Sequence, residues 1–386
     1  MGTHGCPLLA PQVAHPHDFD DCVESLLKDF KIYDRTVDIV SCWQFLFTEV
    51  APFSNGILHF DRFPRLRALP SPAGDSPKTP DFAALLTDSY GLVADVKEGF
   101  PRNDAEFLSH GARLLKYDCP LNFRAGPGAN TVTPRIHDIL LLIPLRDAQE
   151  IVTRLEKLRA EGKMKSDRNL VIMEWFWDVD RDEYVFRKVA GHPVDFSDGH
   201  LPSDLRLSRI FTERGASLKI SPEKIKIIKA TWQFCNDTPP PIYTVVFLWT
   251  KILYHLLDQE QRQVWRRRDP RKTLGIDTTT ARLVEEIEVR YPIRWGHWTD
   301  WVRSALDTLV DAGLARRTQT DRYVVGYRNL AREVGDPSAV DPGNEGKSLP
   351  REYARILATY ICRGADLASP SEGTGPEPGP QGYLFR

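Results

Sequence analysis

Residues 79–101 read TPDFAALLTDSYGLVADVKEGFP, and two apolar runs within this stretch decide the fold. The first follows Pro80-Asp81. The second carries Leu92, Val93 and Val96 and ends in Asp95-Val96-Lys97. Short apolar runs bounded by turn residues read as buried strands, and Ser89 between them marks a tight turn. Residues two apart in a strand share a face, so Asp95 and Lys97 are expected to project together. If the two strands pair, Asp81 reaches that face as well.

Outward from this pair, the pattern alternates helix and strand. Phe19, Val23, Leu26, Leu27 and Phe30 recur at helical spacing, and a second apolar segment spans residues 37–50. Residues 70–79 form a Pro/Ser-rich loop. Asp104 is a candidate cap for the helix DAEFLSHGARLLKYD. The strand DILLLIPL, the helix AQEIVTRLEKLRAEG and a hairpin, NLVIMEWFWDVDRDEYVFRKV with VDRD at its turn, follow. This order predicts an α/β domain over residues 17–190, behind a flexible N-terminus, 1–16.

Residues 191–240 read as a connecting region, with a helix start at Ser221-Pro222-Glu223 and a boundary at Pro239-Pro240-Pro241. Beyond it come three helical patterns: IYTVVFLWTKILYHLL, TTARLVEEIEVRY and HWTDWVRSALDTLVDAG. The last puts Trp298, Trp301, Val302, Ala305, Leu306 and Leu309 on one face and Gly313 at its C-terminal cap. A hairpin, LARRTQTDRYVVGYR, completes residues 241–331. Residues 332–386 hold a short helix, REYARILATYI, and a Pro/Gly/Ser-rich tail expected to be disordered.

Composition narrows the function classes. A net charge of -2 over 386 residues gives no global basic excess, so any nucleic-acid surface must be local. The cysteines, Cys6, Cys22, Cys42, Cys119, Cys235 and Cys362, are scattered without a CxxC pair, which points to reduced thiols in a cytoplasmic protein. The N-terminus lacks the order of a signal peptide, and residues 242–257 are too short and polar for a bilayer span, so no membrane partner is expected. No GxxxxGK loop or HExxH pair occurs, and His110, His137, His192 and His200 are dispersed.

The chemistry that suits Asp81, Asp95 and Lys97 is phosphodiester hydrolysis. Two carboxylates can hold a hard divalent cation, and a lysine can orient water and offset phosphate charge. PDF followed by an apolar strand ending in DVK resembles the active-site signature of the PD-(D/E)XK, restriction-endonuclease-like nucleases. Other ExK triplets, at Glu161 and Glu345, lie in polar, loop-like sequence. The resemblance implies a mixed sheet flanked by helices, with Asp81 and Asp95 as ligands of Mg²⁺ (Mn²⁺ may substitute) and Lys97 as the catalytic lysine. FDDCVESLL is similar to the family's first-helix pattern and puts Asp20 at its acidic position, with Asp21 and Glu24 as alternatives. The family's Q-x-x-x-Y has no Gln here, but Arg113 precedes Tyr117 by four residues and is a candidate phosphate contact.

Residues 241–331 resemble a winged-helix domain. Asp300, Arg303, Asp307 and Asp311 make the exposed face of its third helix acidic, which is unfavourable near phosphates. Phosphate contact is expected instead from the hairpin, through Arg316, Arg317 and Arg322, and from the run RQVWRRRDPRK, through Arg266, Arg267 and Arg268. The expected function is a Mg²⁺-dependent endonuclease of DNA, by analogy in restriction, antiviral defence or repair, with protein contact or self-association through the C-terminal domain. The alternatives are a non-enzymatic DNA-binding regulator and an assembly adaptor.

Overall fold

A computed structural model describes residues 17–51, 53, 56–70, 76–126, 128, 130–189, 202–212, 217–266, 273–291, 298–327 and 349–368. The chain forms two compact units. One is Arg35–Thr238; the other combines Met1–Asp34 with Pro239–Arg386. Against the expected domain, 17–190, residues 202–212 and 217–238 fall in the same unit as residues 35–189, and residues 17–34 fall in the other.

That helix, α1 (His17–Glu49), merges the two segments read separately from the sequence. No Pro or Gly interrupts residues 17–49, so nothing ends the helix between them. Strands β1 (His59–Asp61), β2 (Arg67–Ala68), β3 (Phe82–Thr87) and β4 (Tyr90–Val96) come next. After them run α2 (Asp104–Leu114), β5 (Leu121–Arg124), β6 (Thr131–Val132), β7 (Ile136–Pro144) and α3 (Leu145–Ala160). The hairpin β8 (Leu170–Asp178) and β9 (Glu183–Lys188) turns through VDRD as expected. The unit ends with α4 (Leu205–Thr212), β10 (Ser217–Ile220) and α5 (Pro222–Thr231).

Seven strands make one mixed sheet in the order β1-β3-β4-β7-β8-β9-β10. Only β4–β7 and β7–β8 pair parallel. Helices α2 and α3 cross over between these strands, as parallel neighbours require. Buried on both faces, β7 reads as a continuous apolar run. On one face Val93, Ile139, Leu141, Ile143 and Ile172 pack with Phe107, Ile151 and Leu155 of α2 and α3. On the other, Trp43 of α1 lies against Phe82, Phe186 and Phe211. Each such fully buried side chain contributes roughly 1.5–3 kcal/mol.

Two local expectations change. Helix α2 is capped by Asn103, not Asp104: the Asn103 side chain accepts from the N–H groups of Ala105 and Glu106. Asp104 instead pairs with Arg154 across to α3, at 2.7 Å. The expectation of reduced cysteines fails for one pair, because Cys22 of α1 is joined to Cys362. Cys42, Cys119 and Cys235 are not in disulfides, and Cys42 and Cys235 are buried. Cys6 and the tail beyond residue 368 lie outside the described residues.

The other unit contains α6 (Pro241–Phe247), continued by a π-helical turn, Leu248–Ile252, and a 3-10 turn. Then come α7 (Gln259–Arg266), β11 (Leu274–Thr279), α8 (Thr280–Arg290) and α9 (Trp298–Asp311). Strands β12 (Ala315–Gln319) and β13 (Arg322–Tyr327) form the expected hairpin, and α10 is Leu349–Ala368. Strand β11 was not foreseen, although Leu274, Ile276 and Thr278 alternate buried with exposed neighbours; it pairs with β13. The face of α9 named from the sequence is fully buried. Gly313 ends that helix at φ 67°, with its N–H and that of Leu314 returning to Val310 and Leu309. Among the described residues no helix is long and apolar enough to cross a membrane.

Gly91 on β4 leaves room for the Phe123 ring, which a Cβ would approach to 2.7 Å. Phe123 is itself buried at 1% exposure, so it cannot swing away. Gly91→Ala should therefore cost about 1–3 kcal/mol in urea unfolding. Gly91→Ala with Phe123→Leu should recover part of that loss; no recovery would show that the ring is not the obstacle.

Candidate functional site

The β3–β4 hairpin brings Asp81, Asp95 and Lys97 together. Phe82 is aligned with Ala94, and the Asp81 N–H donates to the Ala94 carbonyl at 2.9 Å, so Asp81 stands opposite Asp95. The Asp81 Oδ2 accepts the Val96 N–H at 2.6 Å, which fixes its rotamer. Beyond the end of β4, the Lys97 N–H donates to the Leu142 carbonyl at 2.8 Å. This holds Lys97 in extended register, and its Nζ lies 3.4 Å from Asp95 Oδ2. The two carboxylates are buried, at 3% and 4% exposure.

Two further residues complete the site. Tyr117, one turn past α2, donates its hydroxyl to Asp95 Oδ1 at 2.9 Å, leaving Oδ2 to face Lys97. The sequence singled out Tyr117 only as the partner of Arg113 in a spacing motif. The other is Asp237, an exposed carboxylate within electrostatic reach of Asp81, Lys97 and Tyr117. Its neighbour Asn236 donates to the carbonyls of Pro80 at 2.7 Å and Pro64 at 3.1 Å, tying this segment to the residue before Asp81. No spacing rule links Asp237 to the Pro-Asp pair. The available hint was Asn-Asp before the proline triplet, which reads equally as a turn.

Charge dominates this cluster. Burial, then Asp237 and Asp95, push the Asp81 carboxyl well above the usual carboxylate range, against the opposing pull of Lys97. Burial alone would lower Lys97, but Asp95, Asp81 and Asp237 outweigh it and hold the ammonium above the ordinary lysine value. Burial and Asp95 likewise raise Tyr117, so its hydroxyl stays a donor. Asp95, Asp81 and Asp237 thus all act on the Lys97 ammonium.

Among the described residues no group of three or more His, Cys, Asp or Glu is placed to hold a metal ion. Magnesium does not require such a cage. It binds through one or two carboxylates and keeps several waters for substrate oxygens to replace. Asp81 and Asp95 are two buried carboxylates with Asp237 within electrostatic reach of Asp81, and the chemistry of this oxygen donor set fits a hard divalent cation.

The other sequence-derived candidates lie elsewhere. Asp20 is exposed on the first half of α1, and that half belongs to the other compact unit. Asp21 and Glu24 share that placement. Arg113 is exposed on α2; both it and Lys97 act on His110, lowering that imidazole further below the value burial gives it. The hairpin arginines are less available than the sequence suggests. Arg317 is bound to Asp307, and Arg322 grips Asp277 with two hydrogen bonds at 2.9 and 2.6 Å. Arg316 is exposed. Arg267 and Arg268 lie outside the described residues, as does the side chain of Arg266.

Comparison with protein-family models, with curated proteins and with solved structures found no match.

Removing one charge from this cluster should stabilise the metal-free protein. Asp81→Asn keeps an acceptor for the Val96 N–H, and without divalent metal it should unfold at a higher temperature than the native chain. Mn²⁺ at about 100 times its Kd should stabilise the native chain by about 2.7 kcal/mol, and Asp81→Asn far less. Equal shifts in the two proteins would remove Asp81 from the ligand set.

His137 generates a separate pH effect. It is fully buried, its Nε2 donates to the Tyr117 carbonyl at 2.8 Å, and its Nδ1 has no partner among the described residues. Burial lowers its pKa to about 4. Folding therefore favours the neutral ring. Its contribution is complete above the unfolded value of about 6.5 and is lost as pH falls from there through about 4. Between pH 7 and 4.5 the native chain should lose about 2–3 kcal/mol that a His137→Gln variant does not lose. Parallel urea-unfolding curves at the two pH values for both proteins would refute this.

Proposed function

We propose that the chain is a divalent-metal-dependent nuclease that hydrolyses phosphodiester bonds, with DNA as its substrate. The observation that carries this reading is the juxtaposition of buried Asp81 and Asp95 with Lys97 on one sheet face. The order of elements supports a restriction-endonuclease-like core. Helix α1, the meander β1-β3-β4, helix α2 and the parallel strand β7 put the acidic pair and the lysine on the meander.

Asp81 and Asp95 would hold Mg²⁺ or Mn²⁺, which when bound polarises a phosphate oxygen and lowers the pKa of a coordinated water. The protein's own contributions follow from the geometry. Tyr117 fixes the Asp95 carboxylate by occupying Oδ1. The Val96 N–H does the same for Asp81. Lys97, kept charged by its carboxylates, donates to the attacking water or to a non-bridging phosphate oxygen and offsets charge as the sugar oxygen departs.

In the C-terminal unit, the sequence helix, strand, helix, helix, hairpin, with β11 paired to β13, supports the winged-helix reading. We assign it to substrate or protein contact.

Incubation with linear, circular and single-stranded DNA and with RNA tests the assignment. Cleavage should require Mg²⁺ or Mn²⁺, stop in EDTA, and fall by at least about 100-fold in Lys97→Ala and Asp95→Ala. Undiminished cleavage in both variants would exclude this site. Binding without cleavage, unaffected by Asp81→Ala, would favour a non-enzymatic regulator.

A further inference from the structure

One rank of residues crosses four strands of the sheet. Val96 is aligned with Leu142, and Leu142 with Met173. One residue further on, Lys97, Ile143 and Glu174 stand side by side, and Glu174 is paired with Arg187 on β9. Residues in register on neighbouring strands point to the same face, so Arg187 shares both face and sheet end with Lys97. Three interstrand steps put their Cα atoms about 14 Å apart.

Arg187 is held in place from below. Its Nε donates to Glu174 Oε1, and its guanidinium lies over the Phe176 ring at 5.2 Å. The Glu174 side chain is 2% exposed and that of Arg187 is 37%, so the head group reaches solvent while the carboxylate that anchors it does not. The two terminal nitrogens have no partner among the described residues. As a stability device this pair is poor, because apolar residues of similar volume do as well or better in such a position. What the pair does supply is a guanidinium of fixed orientation with its outer edge open. That edge matches the oxygens of a phosphate.

We propose that Arg187 contacts the phosphodiester backbone of the nucleic acid cut at Lys97, with the strand running along the end of the sheet from β4 towards β9. This rests on the nuclease reading and extends it. At one phosphate per about 3.4 Å of strand, 14 Å places the contact about four nucleotides from the scissile bond.

The test is binding by the full chain in EDTA, read as anisotropy of a labelled DNA duplex and, separately, of one of its strands, across a salt series. Arg187→Gln should weaken binding by about tenfold and reduce the slope of log K against log salt by about 1. Glu174→Gln with Arg187→Gln leaves no stranded buried carboxylate and should show the same loss. Whichever form of DNA shows it is the one whose backbone lies along this edge. Unchanged affinity and slope in both variants would overturn the inference while leaving the cleavage assay to judge the nuclease reading. A loss confined to the single variant would overturn it too, because it belongs to the unpaired Glu174. A native chain that binds neither form of DNA and cleaves none would overturn both readings.

Discussion

Asp81 and Asp95 are carboxylates buried beside the Lys97 ammonium, and the site is built around their burial. Ionised groups leave water only when something compensates them. Lys97 compensates one charge, and the Val96 N–H and the Tyr117 hydroxyl each satisfy one oxygen. Burial first, and then Asp237 and Asp95, still push the Asp81 carboxyl well above the usual carboxylate range.

Holding that site together requires parts of the chain that look like connectors. Arg62 is 3% exposed and donates to the Phe234 and Val37 carbonyls, to Ser41 and to Gln44. It binds the second half of α1 to the segment that delivers Asn236 and Asp237. Lys229 of α5 and Tyr184 of β9 meet on Asp38 of the same helix. Residues 217–238 thus extend the sheet, pack against α1 and return to the site, which is why they fold with the sheet and do not act as a linker.

Legibility followed the range of the interactions. The hairpin carrying Asp81, Asp95 and Lys97 could be read because period-two patterning and a turn are local, and Gly313 and the VDRD turn were clear for the same reason. Asp237 could not be read, because it approaches Asp81 across 156 residues through one asparagine side chain. The link of Cys22 to Cys362 spans 340 residues and leaves no local trace.

The arginines separate by the same logic. Composition marks Arg317 and Arg322 as basic, but each already pairs with a carboxylate on a neighbouring element, Asp307 or Asp277, which offsets its charge. Exposed pairs of this kind are weak and screened by salt, and a phosphate that breaks one gains little over the carboxylate it replaces. Arg187 differs because its anchor is buried and uses only Nε, so a phosphate adds contacts without displacing any.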